Sequence, residues 1–254
     1  MLILLPPSEG KSVPKRGRPL DLDILSHPEL TPTREKILDA LIDLCSGDGD
    51  VAARTLGLGK TQMNHVERNA GLRDAHSARA DRIYTGVLYA ALDLGSLSGP
   101  AQRRANKSVA ITSGLFGLVR PGDKIPAYRL SGDVTRPGIG PLAAMWRDVV
   151  GPVIEEANLL IDLRSGMYAN LFRPAGALAQ RTATLRVLHE WGGQRTVVSH
   201  FNKATKGRIV RALLTEGAAP RTVDQLADVL GDLGWTLERD GHRLDIIVDQ
   251  VHTT

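Results

Sequence analysis

Short, wholly apolar runs recur along the chain between longer stretches in which apolar and polar residues follow helical spacing. The first run, MLILL at residues 1–5, is closed by Pro6 and Pro7, which predicts a strand buried on both faces. Further strands are predicted from the apolar runs at 108–113, 158–163, 185–188, 196–199 and 244–248. We therefore expect a mixed, largely buried sheet.

Amphipathic stretches between these runs predict the helices. Apolar residues at helical spacing indicate helices over 32–45, 81–94, 206–214 and 223–230. The first should begin at Thr31 or Thr33 and end near Gly47. The 254 residues show no internal repeat and no low-complexity linker. The predicted fold class is α+β, as a single domain over residues 1–254 with helices flanking the sheet.

Polar residues follow the first predicted strand at once, in the order Ser8, Glu9, Gly10, Lys11. The glycine would let the backbone approach an anion closely, so Ser8 and Lys11 are candidate anion ligands, although the spacing is not that of a P-loop. Glu9 is a candidate catalytic acid or base whose pKa Lys11 would set. A plain polar exit loop is the alternative interpretation.

A second polar group follows the strand predicted at 108–113. Glycines at 114 and 117 would let the chain turn close to a ligand, and planar donors and an aromatic face follow them. Such a set suits a phosphate, a carboxylate or a stacked base. The anion-binding candidates here are Ser113, Gly114, Arg120, Tyr128 and Arg129.

A third group follows the strand predicted at 158–163. An aspartate at the end of a buried strand is costly unless it is paired. Either Arg164 neutralises Asp162 structurally, or Asp162 is catalytic and Arg164 binds an anion.

A fourth group follows the run at 196–199. His200 is a candidate general acid or base, and a structural role for it is equally open. Asn202, Lys203 and Lys206 add polar and cationic groups that could bind an anion just before a predicted helix. These four exit loops could form one site if their strands end at the same edge of the sheet.

The sequence Leu-Gly-Leu-Gly-Lys at 56–60 lies between two polar segments that can form helices. A Gly-x-Gly turn that exposes backbone amides between helices is how helix-hairpin-helix units bind a DNA phosphate. Gly57, Gly59 and Lys60 are therefore candidate DNA contacts. An ordinary loop is the alternative.

Charge is unevenly distributed along the chain. The total is 32 basic minus 28 acidic residues, or +4, with a pI near 9.4. Residues 103–147 hold eight basic against two acidic residues, and residues 181–211 hold seven against one, so each segment carries +6. These segments predict an anion-binding cleft, unless they only offset the acidic ends as a solvated face. Phosphate contacts are then expected from Arg103, Arg104, Lys107, Lys203, Lys206 and Arg208.

The amino-acid composition and the absence of known motifs limit the kinds of site that the chain could form. One cysteine, Cys45, excludes an internal disulfide and a cysteine-rich zinc site, and it suits a reducing compartment, so we expect the cytoplasm. The histidines show no metal-ligand spacing, and no GxSxG or HExxH pattern is present, so neither a metal nor a cofactor is predicted. No basic run precedes the five residues before Pro6, so a signal peptide is not expected, and no apolar stretch approaches the roughly 20 residues that span a bilayer.

Several blocks together resemble the YaaA family of peroxide stress proteins. They are MLILLPPSEGK at 1–11, YTGV at 84–87, SGLFGLVRP at 113–121, PAYRL at 126–130, Trp146, and SHFNKATKGR at 199–208. They stand in the family's order and cover nearly the whole chain. The resemblance implies a compact mixed fold with a positively charged cleft, a helix-hairpin-helix-like element, DNA binding, and protection from peroxide by limiting free iron and oxidative DNA damage.

The residues themselves leave other functions open. One is an enzyme acting on a nucleotide or another phosphorylated small molecule, with Glu9 or Asp162 as acid, base or nucleophile, Arg120 and Lys206 holding the anion, and Tyr128 stacking. Glu9→Gln or Asp162→Asn should then abolish turnover with little loss of stability. The other is a scaffold whose basic face only keeps it in solution.

Overall fold

A computed structural model of the protein describes residues 1–136 and 140–249, and at Arg136, Trp191, Ser199, His200 and Asp249 it describes the backbone alone. The strands of this part are β1 (Leu2–Leu5), β2 (Ala78–Arg79), β3 (Val109–Ser113), β4 (Gly117–Val119), β5 (Lys124–Ile125), β6 (Thr135–Arg136), β7 (Gly140–Pro141), β8 (Leu160–Asp162), β9 (Thr182–Trp191), β10 (Gln194–Thr196), β11 (Thr236–Asp240) and β12 (Arg243–Asp249).

Helices cover much of the rest of the described chain. They are α1 (Thr31–Ser46), α2 (Gly49–Thr55), α3 (Asn64–Ala70), α4 (Ala80–Ile83), α5 (Val87–Leu92), α6 (Gly99–Ser108), α7 (Leu142–Glu155), α8 (Gly166–Ala169), α9 (Gly176–Ala179), α10 (Ser199–Thr215) and α11 (Val223–Asp232). Short 3-10 turns lie at Pro28–Leu30, Lys60–Gln62 and Leu94–Ser96. The expected start and end of α1 are confirmed.

The central sheet has eight strands in the order β11-β12-β9-β8-β1-β3-β4, with β10 pairing to β9. β1 pairs in parallel with both β3 and β8, and β9 pairs in parallel with β8 and β12. The other pairs, β3 with β4, β9 with β10 and β11 with β12, are antiparallel. The predicted α+β class with a mixed sheet is therefore confirmed.

β1 lies at the centre of the sheet, and its four residues are buried, as its apolar run predicted. Ile3, Leu4 and Leu5 have no exposed surface. A strand flanked by parallel neighbours and covered on both faces needs apolar side chains in both directions. The carboxyl end of β1 consequently opens where several parallel strands end together.

The prediction of a single helix over 81–94 is wrong, because the helix is interrupted between α4 and α5. Gly86 has a φ of 98°, and the backbone N–H of Thr85 donates to the Ser8 hydroxyl at 3.0 Å and to the Gly10 carbonyl at 3.3 Å. These bonds to a distant loop replace the hydrogen bonds of a continuous helix. The break presents Thr85 and Gly86 to the end of β1.

The buried strand predicted at 196–199 is also wrong. β10 is an exposed edge strand that ends at Thr196, and α10 begins at Ser199, well before the predicted residue 206. The segment from 200 to 206 is therefore helical rather than an exit loop. Thr205 in the added part of α10 is buried together with Ile209 and Val210, and the helix packs against α5, which favours one continuous helix over a loop followed by a shorter helix.

Candidate functional site

The order of the strands reverses at β1 and β8. The chain passes from β1 to β3 on one side and from β8 to β9 on the other, while all four strands run in parallel through their pairings. In such sheets the loops after the two central strands diverge and leave a crevice at their carboxyl ends, where ligands commonly bind. A cavity of about 390 Å³ lies at this point, and we call it the switch-point cavity. It is lined by residues 6–10, residues 85–89, Ser131, Ser165, Met167, Tyr168 and Lys203.

The loop after β1 is held rigidly by its own side chains and by the break between α4 and α5. The Ser8 hydroxyl donates to the Gly10 carbonyl at 2.6 Å and accepts from the Thr85 N–H. A Cβ on Gly10 would lie 3.0 Å from the Thr85 hydroxyl, which explains the need for a small residue there. Ser8 thus has its hydroxyl hydrogen bonded within the wall of the cavity.

Lys11 lies against two aromatic rings. Its ammonium donates to the Ser8 carbonyl at 2.8 Å and lies 4.3 Å from the ring centre of Tyr128 and 5.5 Å from that of Tyr84. Burial, and after it the charge of Arg129, lowers the pKa of Lys11 to about 7, while Glu9 acts in the opposite direction. A largely desolvated amine with this pKa carries a proton only part of the time at neutral pH.

A chain of buried hydroxyls supports the two rings. Tyr84 and Tyr128 are hydrogen bonded at 3.0 Å, and Tyr128 is bonded to Ser113 at 2.7 Å. The Ser113 hydroxyl also accepts from the N–H groups of Leu115 and Phe116. Burial raises the pKa of both tyrosines, so their hydroxyls stay protonated. Ser113 therefore fixes the ring of Tyr128, and that ring in turn positions the Lys11 amine.

Glu9 and Arg129 form an ion pair at the rim of the cavity. Arg129 Nη1 lies 3.3 Å from Glu9 Oε2, and the Glu9 side chain is 83% exposed. Asn69 in α3 clamps the arginine's backbone, since its side chain donates to the Arg129 carbonyl at 2.7 Å and accepts from its N–H at 3.0 Å. The sequence did not single out Asn69. Its only signal was an amide in an otherwise unremarkable polar helix.

Asp162 and Arg164 are paired with each other. Arg164 donates from Nε at 2.8 Å and from Nη2 at 2.6 Å to the two carboxylate oxygens, and its Nη1 donates to the Tyr168 and Phe172 carbonyls. The arginine side chain has no exposed surface, and its guanidinium stacks 4.1 Å from the Phe172 ring centre. Of the two alternatives, the geometry favours structural neutralisation. The pair shapes the loop that brings Tyr168 to the cavity.

Helix α10 contributes cations near this edge. Lys203 is exposed and lines the cavity, whereas Lys206 is half-buried and its pKa is lowered by burial, against the opposing charge of Asp162. The backbone of Asn202 donates to the Val198 carbonyl within the first turn. The His200 side chain lies outside the described part of the structure.

Arg120 lies away from the switch-point cavity. β4 runs antiparallel to β3, so the end of β4 returns to the amino end of β3, where Arg120 Nη1 donates to the Val109 carbonyl at 3.1 Å. Its backbone N–H donates to Asp123, and burial lowers its pKa. Gly114 has a packing role, because a Cβ there would lie 3.0 Å from the Leu130 carbonyl. The second predicted group therefore divides between the two edges of the sheet.

The segment 56–60 forms an exposed turn between α2 and the 3-10 turn before α3. Gly57 has a φ of 64°, and the Leu58 N–H donates to the Ala53 carbonyl at 2.8 Å. The Gly59 N–H donates to the Gln62 side chain at 3.1 Å, and Lys60 is exposed. Helix α3 then connects this turn to the cavity rim through Asn69.

Many arginines of the basic segments are used internally. Arg104 donates to the carbonyls of Leu214 and Thr215, and Arg211 donates to those of Leu92 and Asp93. Elsewhere in the described chain, exposed cations have neither an ion pair nor a hydrogen bond from the side chain. They include Lys60, Arg103, Lys107, Lys203 and Arg208.

The cavity also contains residues that sequence reasoning did not assign to a site, namely Thr85, Gly86, Tyr89 and Ser131. The glycine at 86 inside an apparent helix was the one local signal for them. Within residues 1–136 and 140–249, no three His, Cys, Asp or Glu side chains cluster as a metal site would need. No helix in the same ranges is long and apolar enough to cross a membrane.

Known proteins are similar to this chain over nearly its whole length. A family model described as peroxide stress protein YaaA matches residues 1–240. A UPF0246 protein of Streptomyces coelicolor is 49% identical, covering 99% of this chain and 100% of its own length. A UPF0246 protein of Corynebacterium efficiens is 42% identical over 94% of this chain and 95% of its own, and one of Ruegeria is 29% identical over 66% and 70%. The chain belongs to the YaaA family of peroxide stress proteins.

Proposed function

We propose that this protein binds DNA through exposed cations and the turn at 56–60, and that it thereby limits oxidative damage to the DNA. The observation that carries the proposal is that some basic side chains are used inside the protein while others are exposed and unpaired. Arg104, Arg164 and Arg211 are used in internal hydrogen bonds, whereas Lys60 and Lys203 are exposed and unpaired within the described chain. Only free cations can release counterions from a phosphate backbone.

The turn at 56–60 suits a phosphate contact. It lies between two helical segments, as in helix-hairpin-helix units, and Gly57, Gly59 and Lys60 are all exposed. The N–H groups of Gly57, Leu58 and Gly59 already donate within the protein, so the exposed Lys60 would make the phosphate contact, without reading the sequence of the DNA. We infer that the protein binds duplex DNA with little sequence preference.

Replacing Lys60 or Lys203 with alanine should weaken binding to a short duplex. Each lost phosphate contact should lower the slope of log affinity against log salt by about 1. Fluorescence anisotropy over a series of salt concentrations measures both quantities. Lys36→Ala is the matched control, because Lys36 is an exposed lysine on α1 in the acidic segment. An equal loss from Lys36→Ala, or an unchanged slope in both test variants, would contradict the proposal.

Protection is tested on the same variants. Plasmid DNA exposed to ferrous iron and peroxide should be nicked less when the wild-type protein is bound, and the Lys60→Ala/Lys203→Ala variant should lose protection in proportion to its lost affinity. Protection that is undiminished in the double variant would separate damage limitation from DNA binding.

A second candidate, an enzyme acting on a nucleotide or another phosphorylated small molecule, is favoured by the switch-point cavity. Glu9 at its rim is exposed enough to exchange protons with a ligand, and Lys203 could hold a phosphate. Thermal unfolding with a panel of nucleotides at low and high salt tests this idea. Stabilisation by one nucleotide that persists in high salt is expected for a discrete pocket, whereas a shift seen only with DNA and lost in salt argues against it.

A further inference from the structure

Lys11 has a largely desolvated amine without a carboxylate partner. Within the part of the chain that the structure describes, it forms no ion pair, and its one hydrogen bond goes to the Ser8 carbonyl. The adjacent carboxylate, Glu9, is paired with Arg129 instead. Lysines are rarely buried to this degree without a paired anion, because burial disfavours the charged form. The burial of this amine without an ion pair therefore needs an explanation.

The amine is not needed to hold its own loop. Ser8 already binds Gly10 and Thr85 through its hydroxyl, and the Ser12 N–H donates to the Ile83 carbonyl at 2.9 Å. The backbone of Lys11 also bridges to that of Tyr84. These backbone and hydroxyl contacts fix the loop on both sides of Lys11, which leaves the amine available for another role.

The surroundings of Lys11 match what activates a lysine toward carbonyl groups. Such amines are desolvated or lie near another cation, so that the neutral nucleophilic form is populated. Here the rings of Tyr84 and Tyr128 exclude water, and Arg129 supplies the neighbouring cation. His65 in α3 also lies near this group. Burial is the main cause that lowers the pKa of His65, and the charges of Arg68, Arg129 and Lys11 lower it further. Among the described residues, Glu9 is the carboxylate whose charge raises the pKa of Lys11.

We propose that Lys11 is a carbonyl-reactive amine beside the switch-point cavity, and that it forms an imine with a phosphorylated aldehyde. The lone pair of the neutral amine adds to the carbonyl carbon and gives a carbinolamine. The nitrogen then loses its two protons and forms a C=N bond as the C–O bond breaks, and the oxygen, which gains two protons, leaves as water. Hydrolysis reverses the step, so no oxidant or reductant is needed. Lys203, an exposed cation that lines the cavity, favours an aldehyde that carries phosphate.

An aldehyde of this chemistry has two sources. One is a free sugar phosphate, and the other is the ring-opened deoxyribose left in DNA where a base has been lost. The second source rests on the DNA binding proposed above, and the first does not. The shared requirement is an aldehyde close to a phosphate, so a common trapping reaction can test both.

Borohydride trapping of imines with pyridoxal 5′-phosphate tests the reactive amine directly. Modified lysines are identified by peptide mass mapping after short reactions at a series of pH values. At pH 7 we expect Lys11 to be modified at least about tenfold faster than the exposed Lys36 in the same molecule, because the fraction of neutral amine falls tenfold for each unit by which the pKa exceeds the pH. The Lys11 rate should level off above pH 7, because its amine is then mostly neutral. A Lys11 rate no faster than that of Lys36 would overturn the proposal.

Lys11→Arg is the matched variant, since it keeps the positive charge and the aromatic contacts but removes the nucleophile. The rapid modification at position 11 should vanish in this variant, because a guanidinium is not a nucleophile at this pH. A rapid phase that survives in the variant would assign the reactivity to another lysine and refute the inference. If the variant does not fold, the peptide map of the wild-type protein decides by itself.

Two further arms separate the sources of the aldehyde. A duplex with one abasic site, treated with borohydride, should become cross-linked at Lys11 if the substrate is damaged DNA. Glyceraldehyde 3-phosphate should label Lys11 whether or not the protein binds DNA. Cross-linking of the duplex supports the DNA source, and labelling by the sugar phosphate alone supports a small metabolite and leaves the amine's role intact. Absence of Lys11 from the products of both arms would overturn the proposal.

Discussion

Asp162→Asn is expected to lower the free energy of unfolding by about 3–5 kcal/mol, because it would leave the guanidinium of Arg164 buried without its anion. The arginine side chain has no exposed surface and contacts both carboxylate oxygens at 2.8 Å or less. Taking a charge out of water is costly unless a partner compensates for it. Urea unfolding monitored by circular dichroism measures the loss.

Glu9→Gln is the matched control for Asp162→Asn. Glu9 is also paired with an arginine, but its side chain is 83% exposed, so its loss should change stability by less than about 1 kcal/mol. Adding Arg164→Met to Asp162→Asn should destabilise less than the sum of the single changes, since no buried charge then remains. Equal effects of Asp162→Asn and Glu9→Gln would refute the structural role of the buried pair.

This result would also change the interpretation of any loss of activity. Under the enzyme hypothesis, the sequence predicts that Asp162→Asn removes turnover with little effect on stability. The structure predicts that any such loss would come with a weaker fold, since Arg164 also holds the carbonyls of Tyr168 and Phe172 beside the cavity. Glu9→Gln is therefore the cleaner test of an acid or base in the enzyme hypothesis.

Gly207→Ala is expected to destabilise the protein by about 2–3 kcal/mol through overpacking between α10 and α5. A Cβ at this position would lie 2.4 Å from the Leu88 carbonyl oxygen and 3.0 Å from the Leu92 nitrogen. Both atoms belong to the backbone, so the clash cannot be relieved by rotating a side chain. The two helices would have to separate, and the Lys203 end of α10 would move with them.

The control for this change is Gly231→Ala in α11. A Cβ there meets nothing within 4 Å, so alanine should stabilise the helix by up to about 1 kcal/mol through its higher helix propensity. The midpoint temperatures of thermal unfolding should thus shift in opposite directions for the two variants. A stabilising effect of Gly207→Ala would show that α10 does not pack against α5 as closely as described.

Much of the framework was predictable because its signals are local. The apolar runs of β1 and β3 indicated strands covered on both faces, and apolar spacing indicated α1 and α11. The sequence also indicated polar residues directly after β1 and β8, but it left open whether their loops meet, which the parallel pairing of the two strands explains. Short sequence windows were sufficient for these features.

Three features could not be predicted in this way. The break at Thr85 depends on a hydrogen bond to Ser8, 77 residues away, which no local window contains. The early start of α10 was the second: the helix begins at Ser199, directly after the extended Val198, and it packs against α5, a neighbour that no local window contains. Arg120 was expected beside the other anion ligands, but the antiparallel return of β4 carries it to the opposite edge.

The sequence by itself therefore determined the α+β class, the central buried strands, the family, and which strand ends carry polar residues, because hydrophobic patterning and motif blocks are read along the chain. Only the tertiary structure decided which of those polar residues share a cavity, that Asp162 is neutralised by Arg164, and that Lys11 lies against two tyrosine rings. The physical reason is that burial and charge pairing depend on neighbours supplied by distant segments, as with Asn69 and Arg129, 60 residues apart.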